Sequence, residues 1–460
     1  MNTTTDAPQD LSLLVPTGAD GVRIDRALEV TLGQDHRVLG KLLHHKNGST
    51  ECSMFTYSRQ WLERQNSFNI SPDLRLIGSS QCQRAETPHQ APFFGTLADT
   101  LPSGFAHRVV QRADEQGLLD RSASASVDLN DADRLCAVHD FCRVGALRLR
   151  PLGSDRRNNS VNWKLLPRIF DLEAMINAAH AFENETEDHR QLMLLVYSAT
   201  SLGGSRPKCS FVQEVGTLAL AKFPSVFDRY PITRAEVLAT YLAKTAGIRV
   251  ADTRLKLIVN TPVAIVQRFD RATAGGRRHY MRATTLLQAH NGEVIDHHGL
   301  LRGMRQCCKN FKADARELWR RQVFKLLINK PDADLHKIDF LHVGANRWEL
   351  APAYDLTPGT PAELGGGPRP GARLAGPTDV ELLLRAAPDF QVGSVEALEI
   401  LEQLIRIVSG WSAAASLFAV GMSRNDIERM QPIFDNAHTG SARQLLHDWR
   451  SRRRPSARTA

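Results

Sequence analysis

Three short segments carry the residue types that phosphoryl transfer requires. Residues 201–208 read SLGGSRPK, Lys222 follows in the run AKFP, and Asp355 ends the run LAPAYD. A glycine turn lets backbone N–H groups approach a phosphate, a lysine neutralises charge on it, and a late aspartate can ligate a metal ion. These groups come in the order of a nucleotide-phosphate site. The turn does not match GxxxxGK[ST], so it is not a P-loop of the Walker type.

Each of these residues also has an ordinary structural interpretation. The pair Gly203–Gly204 could be a simple turn between a predicted helix and a predicted strand. Lys222 ends a predicted strand, where it could reach nucleotide phosphates or be a solvated strand lysine. Glu236 lies near the start of a predicted helix, where it could pair with Lys222 or act as a first-turn carboxylate.

A later loop concentrates acidic residues. Asp332, Asp334, His336 and Asp339 lie within eight residues after a predicted long helix. Phosphoryl transfer uses one carboxylate to accept the hydroxyl proton and another as an oxygen ligand for Mg²⁺, for which Asp355 is a second candidate. The alternative is a solvated loop. Residues 267–271 read QRFDR and follow an apolar strand, so they suit either a connection between two lobes or a plain strand end.

Hydrophobic periodicity predicts the elements that must position these residues. Helical spacing marks residues 171–181, 189–197, 234–246, 313–328 and 395–408, with Ser394 as the cap of the last helix. Strand-like patterns mark residues 216–223, 254–259 and 263–269, and short element starts or strands are predicted at 93–97 and 144–149. Residues 359–377 are rich in glycine and proline and predict a loop. A mixed α/β half is therefore expected before a mainly helical half.

Composition narrows the class of protein. The chain has 460 residues, 42% of them hydrophobic and 23% charged, with a net charge of +8, which is typical of a folded protein with two or three domains. No signal peptide or bilayer-spanning run is apparent, and seven cysteines without a CxxC pair indicate free thiols in a reducing cytoplasm. Arginines crowd the last eleven residues, which suits a solvated tail or a contact with nucleic acid or an acidic partner.

Taken together, the motifs resemble those of the HipA-like serine/threonine kinases of bacterial toxin–antitoxin modules. The resemblance covers most of the chain and includes the runs FFGTLADTLPSG, VGALR, SLGGSRPK, AKFPS, RAEVLATYLAKTAGI, QRFDR and LAPAYDLTP. It implies an α+β, two-lobed, protein-kinase-like fold with a mixed α/β N-terminal lobe and a mainly helical C-terminal lobe.

The resemblance also implies a domain plan. A leader of residues 1–20 precedes an N-terminal HipA-like subdomain at 21–155. The kinase domain follows at 160–445, with an ATP-binding part at 195–275 and a helical part at 285–445. The last element of the plan is a basic tail at 446–460.

Residue roles follow from the same resemblance. Ser201 aligns with the loop serine that family members autophosphorylate, which expels the loop and switches the kinase off. Gly203 and Gly204 align with the phosphate-covering loop and Lys222 with the ATP-phosphate lysine. The remaining alignments place Phe269 in the adenine-connecting segment, Asp270 at the ribose contact and Asp355 as the late Mg²⁺ ligand.

The catalytic loop departs from the family pattern N-x-D-x-H-x-K-N-F, and two registers are possible. In the first, Asp334 is the base, His336 and Phe340 keep their family places, Asp332 replaces the leading asparagine, Ile338 the lysine and Asp339 the metal-binding asparagine. In the second, Asp332 is the base and Lys337 falls on the metal-binding place. The first register is favoured because an aspartate ligates Mg²⁺ and an ammonium has no lone pair.

Three functions follow as hypotheses. The first is an ATP- and Mg²⁺-dependent protein kinase, the toxin of a type II module, acting on a protein such as an aminoacyl-tRNA synthetase. A small helix-turn-helix antitoxin would neutralise it, and DNA would be contacted only through the antitoxin, with no membrane. The second is a catalytically degenerate relative that binds a nucleotide or a repressor. The third is a metal-dependent phosphohydrolase that uses residues of metal-binding type: His290, His297, His298, Asp332, Asp334 and His336.

Overall fold

The protein is an α+β structure in a computed structural model that describes most of the chain. The described residues are 24–47, 50–85, 90–119, 129–154, 167–168, 171–200, 203–214, 216–272, 276–290, 293–330, 335–359, 373–375 and 379–453. The leader at 1–20 lies outside them, as do Ser201, Asp332 and Asp334.

The N-terminal region is built on a five-stranded antiparallel sheet of order β4-β3-β2-β1-β5. Its strands are β1 (Arg26–Leu32), β2 (Arg37–Asn47), β3 (Thr50–Tyr57), β4 (Gln81–Arg84) and β5 (Leu147–Pro151). Leu28, Val30 and Leu32 alternate along β1 and point into one apolar core, as the two-residue period of a strand requires. Four helices accompany the sheet: α1 (Arg59–Leu62), α2 (Gly95–Ala98), α3 (Phe105–Glu115) and α4 (Asp131–Ala137).

A second antiparallel sheet, of order β6-β7-β9-β8, lies at the centre of the site described below. Its strands are β6 (Lys208–Val212), β7 (Leu218–Lys222), β8 (Thr253–Ile258) and β9 (Thr261–Gln267). Helices α5 (Leu172–Glu183) and α6 (His189–Ala199) share a core with this sheet. Phe105, on α3, belongs to the same core, so the N-terminal region shares this core with α6 and the sheet.

The remaining chain is mainly helical. A three-stranded sheet joins β10 (Tyr280–Arg282), β12 (Asp339–Gly344) and β13 (Arg347–Leu350), and a parallel pair joins β11 (Val294–Asp296) to β14 (Arg373–Ala375). The helices are α7 (Ile232–Thr245), α8 (Ala283–Leu287), α9 (His297–Cys307), α10 (Phe311–Leu327), α11 (Val380–Ala386), α12 (Ser394–Ser409), α13 (Trp411–Ser416), α14 (Arg424–Phe434) and α15 (Ala437–Arg453). One large apolar core holds most of these elements together.

Most predicted elements are confirmed within two residues, and two expectations are wrong. Residues 93–97, predicted as a strand or as the start of an element, contain the start of the short helix α2. Gly393, rather than Ser394, occupies the cap of α12. The basic tail does not begin at 446, because α15 continues to Arg453 with Leu446 buried and Trp449 packed on the core. Within the described residues, none of the helices combines the length and the apolar character needed to cross a bilayer.

Candidate nucleotide-phosphate site

Lys222 joins three elements at the end of β7. Its ammonium pairs with Glu236 Oε1 on α7 and lies 2.9 Å from Asp355 Oδ1. Burial alone would lower the pKa of Lys222, but the charges of Asp355 and Glu236 outweigh it and raise the pKa above the ordinary lysine value. The predicted Lys222–Glu236 pair is confirmed. Because α7 begins at Ile232, Glu236 lies beyond the first turn, and its interpretation as a first-turn carboxylate is wrong.

Lys208 is a second buried cation at this site. It begins β6 and lies opposite Lys222 in the antiparallel register, so the two side chains share one face of the sheet. Burial, reinforced by the charge of Lys222, lowers the pKa of Lys208 to about 8. Sequence reasoning missed this residue. The signal was available, because Lys208 ends the SLGGSRPK run and pairing the two predicted strands would have placed it beside Lys222.

Asp355 receives a lysine on each carboxylate oxygen. Lys222 approaches Oδ1, and Lys337, in the 3₁₀ turn Leu335–Lys337, lies 3.1 Å from Oδ2. Lys222, with help from Lys337 and Lys208, holds the pKa of Asp355 well below its usual range even though burial opposes this. The side chain keeps about a third of its surface exposed, at 32%.

The backbone before Asp355 is fixed to the second sheet. Ala353 donates a hydrogen bond to the Arg249 carbonyl at 2.7 Å and accepts one from the Ala251 N–H at 2.9 Å. Asp355 itself has a left-handed backbone with φ of 55°, which aspartate tolerates better than most residues. The strand entry to β8 therefore places the aspartate opposite Lys222.

The glycine turn lies at the edge of this lysine pair. The Gly203 carbonyl accepts a hydrogen bond from Lys208 Nζ at 2.5 Å, and Gly204 has a positive φ of 93°. A Cβ on Gly204 would lie 2.7 Å from the mobile Lys208 Nζ, so it is mainly the positive φ that favours glycine here. The turn and both lysines are thus brought together, as a phosphate-binding site needs.

Asp339, the predicted metal-ligating replacement for asparagine, begins β12 and is buried. Neither of its carboxylate oxygens has a hydrogen bond of good geometry in the described part of the chain, although the hydroxyls of Tyr354 and Tyr280 lie nearby. Burial raises the pKa of Asp339 to about 7, against the opposing influence of the Tyr354 hydroxyl, Arg282 and the Tyr280 hydroxyl. An unsatisfied buried carboxylate costs free energy, and a cation would compensate it.

The two candidate bases, Asp332 and Asp334, lie outside the described residues. His336 follows them in the 3₁₀ turn and is half-buried. The same turn carries Lys337, which the second register placed at the metal position and which here contacts Asp355. The choice between the two registers stays a prediction.

Phe269 and Asp270 lie in different environments. The Phe269 ring packs 5.6 Å from the ring of Tyr354, beside Asp355. The buried carboxylate of Asp270 accepts hydrogen bonds from Arg268 at 2.7 and 2.6 Å, from Arg271 at 2.7 Å and from the Gly145 N–H at 2.7 Å. Burial would raise the pKa of Asp270, but Arg268 and Arg271 hold it well below its ordinary value. Protein donors already satisfy this carboxylate, so the geometry disfavours a ribose contact, which stays a prediction.

Of the residues in the phosphohydrolase hypothesis, Asp332 and Asp334 lie outside the described residues, so their cluster with the histidines stays untested. His297 and His298, at the start of α9, approach Asp389, at 3.1 and 3.9 Å. These three form the one group of metal-binding type with ligand atoms close together in the described ranges. His290 lies in the loop before β11, where its backbone N–H donates a hydrogen bond to the Glu293 carboxylate.

Comparisons with known proteins agree with this geometry. The model of the HipA-like C-terminal domain matches residues 200–411, which include the glycine turn, Lys208, Lys222, Glu236 and Asp355. Among solved structures, the complex of HipA, HipB and operator DNA from the toxin–antitoxin system of Shewanella oneidensis MR-1 matches with a TM-score of 0.58 and 17% identity. That match covers 91% of this chain and 96% of the other. At this identity the likeness shows the fold alone.

A second solved structure, the proinflammatory kinase CtkA of Helicobacter pylori, has a TM-score of 0.37 and 14% identity over 53% of this chain and 95% of the other. No curated protein matches the sequence.

Proposed function

Residues 200–411 contain a HipA-like C-terminal domain, and we propose that the chain is an ATP- and Mg²⁺-dependent protein serine/threonine kinase. The observation that carries the proposal is the position of Lys222, which contacts Glu236 and Asp355 at once. In kinases a strand lysine held by a helix glutamate contacts the nucleotide phosphates, and a late aspartate ligates the metal. Three elements far apart in sequence converge here on that arrangement.

Two lysines and the glycine turn would bind the phosphates of ATP, each in a different way. Lys222 and Lys208 face the same space from neighbouring strands and would offset the charge of the ATP phosphates. Gly203 and Gly204 allow the backbone to approach those phosphates without a Cβ in the way. Phe269 is the candidate for contact with the adenine, while Asp270 is left out because its carboxylate is already satisfied.

The chain also offers ligands that suit Mg²⁺. Asp339 is a buried carboxylate whose two oxygens lack a hydrogen bond of good geometry in the described part of the chain, and Asp355 is a partly exposed carboxylate beside the phosphate lysines. Carboxylate oxygens are the ligands that Mg²⁺ prefers, so the donor set fits the ion. When bound, Mg²⁺ offsets the negative charge of the phosphates.

Proton transfer is assigned to the acidic loop. Asp334 is proposed to accept the proton of the substrate hydroxyl, with Asp332 as the alternative base and His336 beside it. Asp334→Asn is expected to reduce transfer roughly 100-fold or more, and Asp332→Asn much less. The reverse ranking would assign the base to Asp332.

Partners and regulation extend the proposal. The solved HipA from Shewanella forms a complex with HipB and operator DNA, and this chain shares its fold. We accordingly propose a cytoplasmic toxin that a small helix-turn-helix antitoxin neutralises, with DNA contacted only through that antitoxin. The substrate would be a protein of translation such as an aminoacyl-tRNA synthetase, and Ser201 would be the autophosphorylation site. The proposed kinase domain, residues 160–445, includes the matched region 200–411.

Incubation of the purified protein with labelled ATP and Mg²⁺ tests the proposal. Label is expected on Ser201, located by mass spectrometry and lost in Ser201→Ala. Lys222→Met should abolish labelling with the fold intact. If neither the protein nor added candidate substrates acquire phosphate, while ATP is bound, the kinase proposal fails.

One observation favours a second function, a nucleotide-binding relative without catalysis. Each oxygen of Asp355 is paired with a lysine, so a metal ion would have to compete with Lys222 or Lys337. Such a protein would be stabilised by ATP in a thermal melt yet transfer no phosphate. Measurable turnover that depends on Asp334 would exclude this alternative.

A further inference from the structure

The glycine turn is held by the N-terminal region as well as by Lys208. The Phe105 N–H, at the start of α3, donates a hydrogen bond to the Gly204 carbonyl at 2.9 Å. One helical turn later, Arg108 donates to the Ser205 carbonyl at 3.3 Å. Two consecutive carbonyls of the turn therefore accept hydrogen bonds from one end of α3.

These contacts satisfy a need of the helix. The first N–H groups of an α-helix lack partners within the helix, and a capping side chain usually supplies one. Gly104 occupies the cap position of α3, and it has no side chain that could do so. The Gly204 carbonyl takes that place, so a residue 100 positions away in sequence caps the helix.

Gly104 is required for this approach. Its φ is +60°, and a Cβ built on it would overlap the Gly204 carbonyl oxygen and lie 2.6 Å from the carbonyl carbon. Ser103 contributes to the same interface, because a Cβ on Gly203 would lie 2.8 Å from its Oγ. The Gly104 backbone lies so close to the Gly204 carbonyl that a residue with a Cβ at position 104 would collide with it.

We infer that the segment from Ser103 to Arg108 is a positioning element for phosphate binding, one that holds the glycine turn over the lysine pair. Lys208 fixes the turn from the strand side and α3 fixes it from the N-terminal side. The inference rests on the proposed function, since it assumes that the turn covers nucleotide phosphates. It adds that residues outside the matched region 200–411 determine the nucleotide affinity of that region.

This geometry predicts that changes in the Ser103–Arg108 segment affect the binding of phosphates more than the binding of the nucleoside. A displaced turn would lose its contacts with phosphates and keep those that other residues make with the base and ribose. Loosening the segment should therefore weaken the binding of ATP far more than the binding of adenosine. A merely structural defect would weaken both ligands alike, or neither.

The test compares two glycines at opposite ends of α3. Gly104 and Gly117 both have a positive φ, but nothing lies within 4 Å of a Cβ built on Gly117. Gly104→Ala and Gly117→Ala both place a Cβ on a backbone with positive φ, and only the first pushes on the turn. In full-length protein, Gly104→Ala is expected to raise the Kd for ATP about tenfold. Its Kd for adenosine should change less than twofold, and Gly117→Ala should leave both unchanged.

Arg108→Ala and Arg112→Ala form a second pair, should Gly104→Ala not fold. Arg112, one turn further along α3, lies 3.6 Å from Glu187 and also pairs with Glu115 and Glu185, so in the described part of the chain its polar contacts are with acidic side chains and not with the glycine turn. Arg108→Ala is expected to weaken ATP binding two- to threefold and Arg112→Ala not at all. Equal ATP affinities across either pair, or equal losses for ATP and adenosine, would overturn the inference.

Hydrogen exchange separates this inference from the proposed function. Without nucleotide, the Phe105 amide should be protected in the parent protein and exchange at least tenfold faster in Gly104→Ala, with Gly117→Ala unchanged. If the parent protein fails to bind ATP, the proposed function fails, while the exchange result still reports whether α3 holds the turn. An unprotected Phe105 amide in the parent protein would refute the anchoring contact itself.

Discussion

Two aspartates, Asp270 and Asp355, each follow an aromatic residue in the sequence and lie in opposite chemical environments. Asp270 accepts four hydrogen bonds from two arginines and a backbone N–H and is almost completely enclosed. Asp355 is paired with two lysines and keeps a third of its surface exposed. Guanidinium groups fit a carboxylate in fixed geometry, whereas an ammonium is a mobile point charge.

The difference shows that an aspartate in a binding site must keep a carboxylate that can still accept a ligand. A carboxylate saturated by fixed donors stabilises one structure, and Asp270 ties Gly145 of the N-terminal region to the end of β9 in this way. A carboxylate paired with lysines can exchange those partners for a ligand. We therefore expect replacements around Asp270 to affect stability and replacements around Asp355 to affect chemistry.

The largest expected effect is on stability, in Asp270→Asn. The change leaves Arg268 and Arg271 buried without their counter-charge, and breaking such a cluster costs about 3 to 5 kcal/mol. Denaturant unfolding measures this, with Asp252→Asn as a control, because that aspartate is exposed. ATP affinity of the folded fraction should not change. If Asp270→Asn weakened the binding of ATP but not that of 2′-deoxy-ATP, the result would support a contact between Asp270 and the ribose.

Lys222→Met should produce the largest effect on activity. Removing one fixed charge that stabilises a developing charge typically lowers kcat about 100- to 1000-fold. Initial rates of phosphate transfer measure the loss, and Lys256→Met, on the neighbouring strand β8, is the control. Activity within threefold of the parent protein would contradict the role of Lys222.

Lys208 should give the site a distinct dependence on pH. Its pKa is about 8 when folded and 10.5 in the reference state, so the unfolded chain binds more protons between those values. The free energy of unfolding should accordingly rise with pH across that window by up to about 3 kcal/mol. Unfolding curves from pH 7 to 10.5 should show that Lys208→Met loses this rise. A parallel pH profile in the variant would show that Lys208 does not titrate there.

The smallest expected effect concerns Lys337. Its pair with Asp355 is partly exposed and worth about 1 kcal/mol or less. Lys337→Met removes a cation that competes for Oδ2, so the Mg²⁺ concentration for half-maximal activity should fall up to about fivefold. Titration of activity with Mg²⁺ measures it. A higher Mg²⁺ requirement would mean that Lys337 supports the metal site instead.

Sequence reasoning found the parts of the site that local patterns encode. The order of glycine turn, strand lysine, helix glutamate and late aspartate assigned Lys222 and Asp355 to one site and offered Glu236 as a partner of Lys222. The structure shows the Lys222–Glu236 pair and adds a direct contact between Lys222 and Asp355 that the sequence did not predict. Sequence reasoning did not separate Asp270 from Asp355, although Arg268 and Arg271 beside Asp270 donate three of its four hydrogen bonds. The fourth comes from the Gly145 N–H, 125 positions away, and chain order carries no information about such a distant donor.

Two other differences between the sequence-based expectations and the structure also have specific physical causes. The predicted basic tail was placed too early because arginines dominate its composition, while Leu446 and Trp449 supply the apolar face that continues α15. The capping of α3 by Gly204 had no sequence signal, since a backbone carbonyl does the work that a serine or aspartate usually does.

The left-handed backbone of Asp355 limits which alleles of this gene can remain functional. Asparagine would accept the φ of 55° and lose the charge that the lysines balance, while glutamate would keep the charge and strain the backbone. Glycine fits the backbone and offers no ligand. Random mutagenesis with selection for activity should thus recover substitutions at many core positions and none at codon 355. Position 355 would tolerate no replacement because it needs both the left-handed backbone and the negative charge.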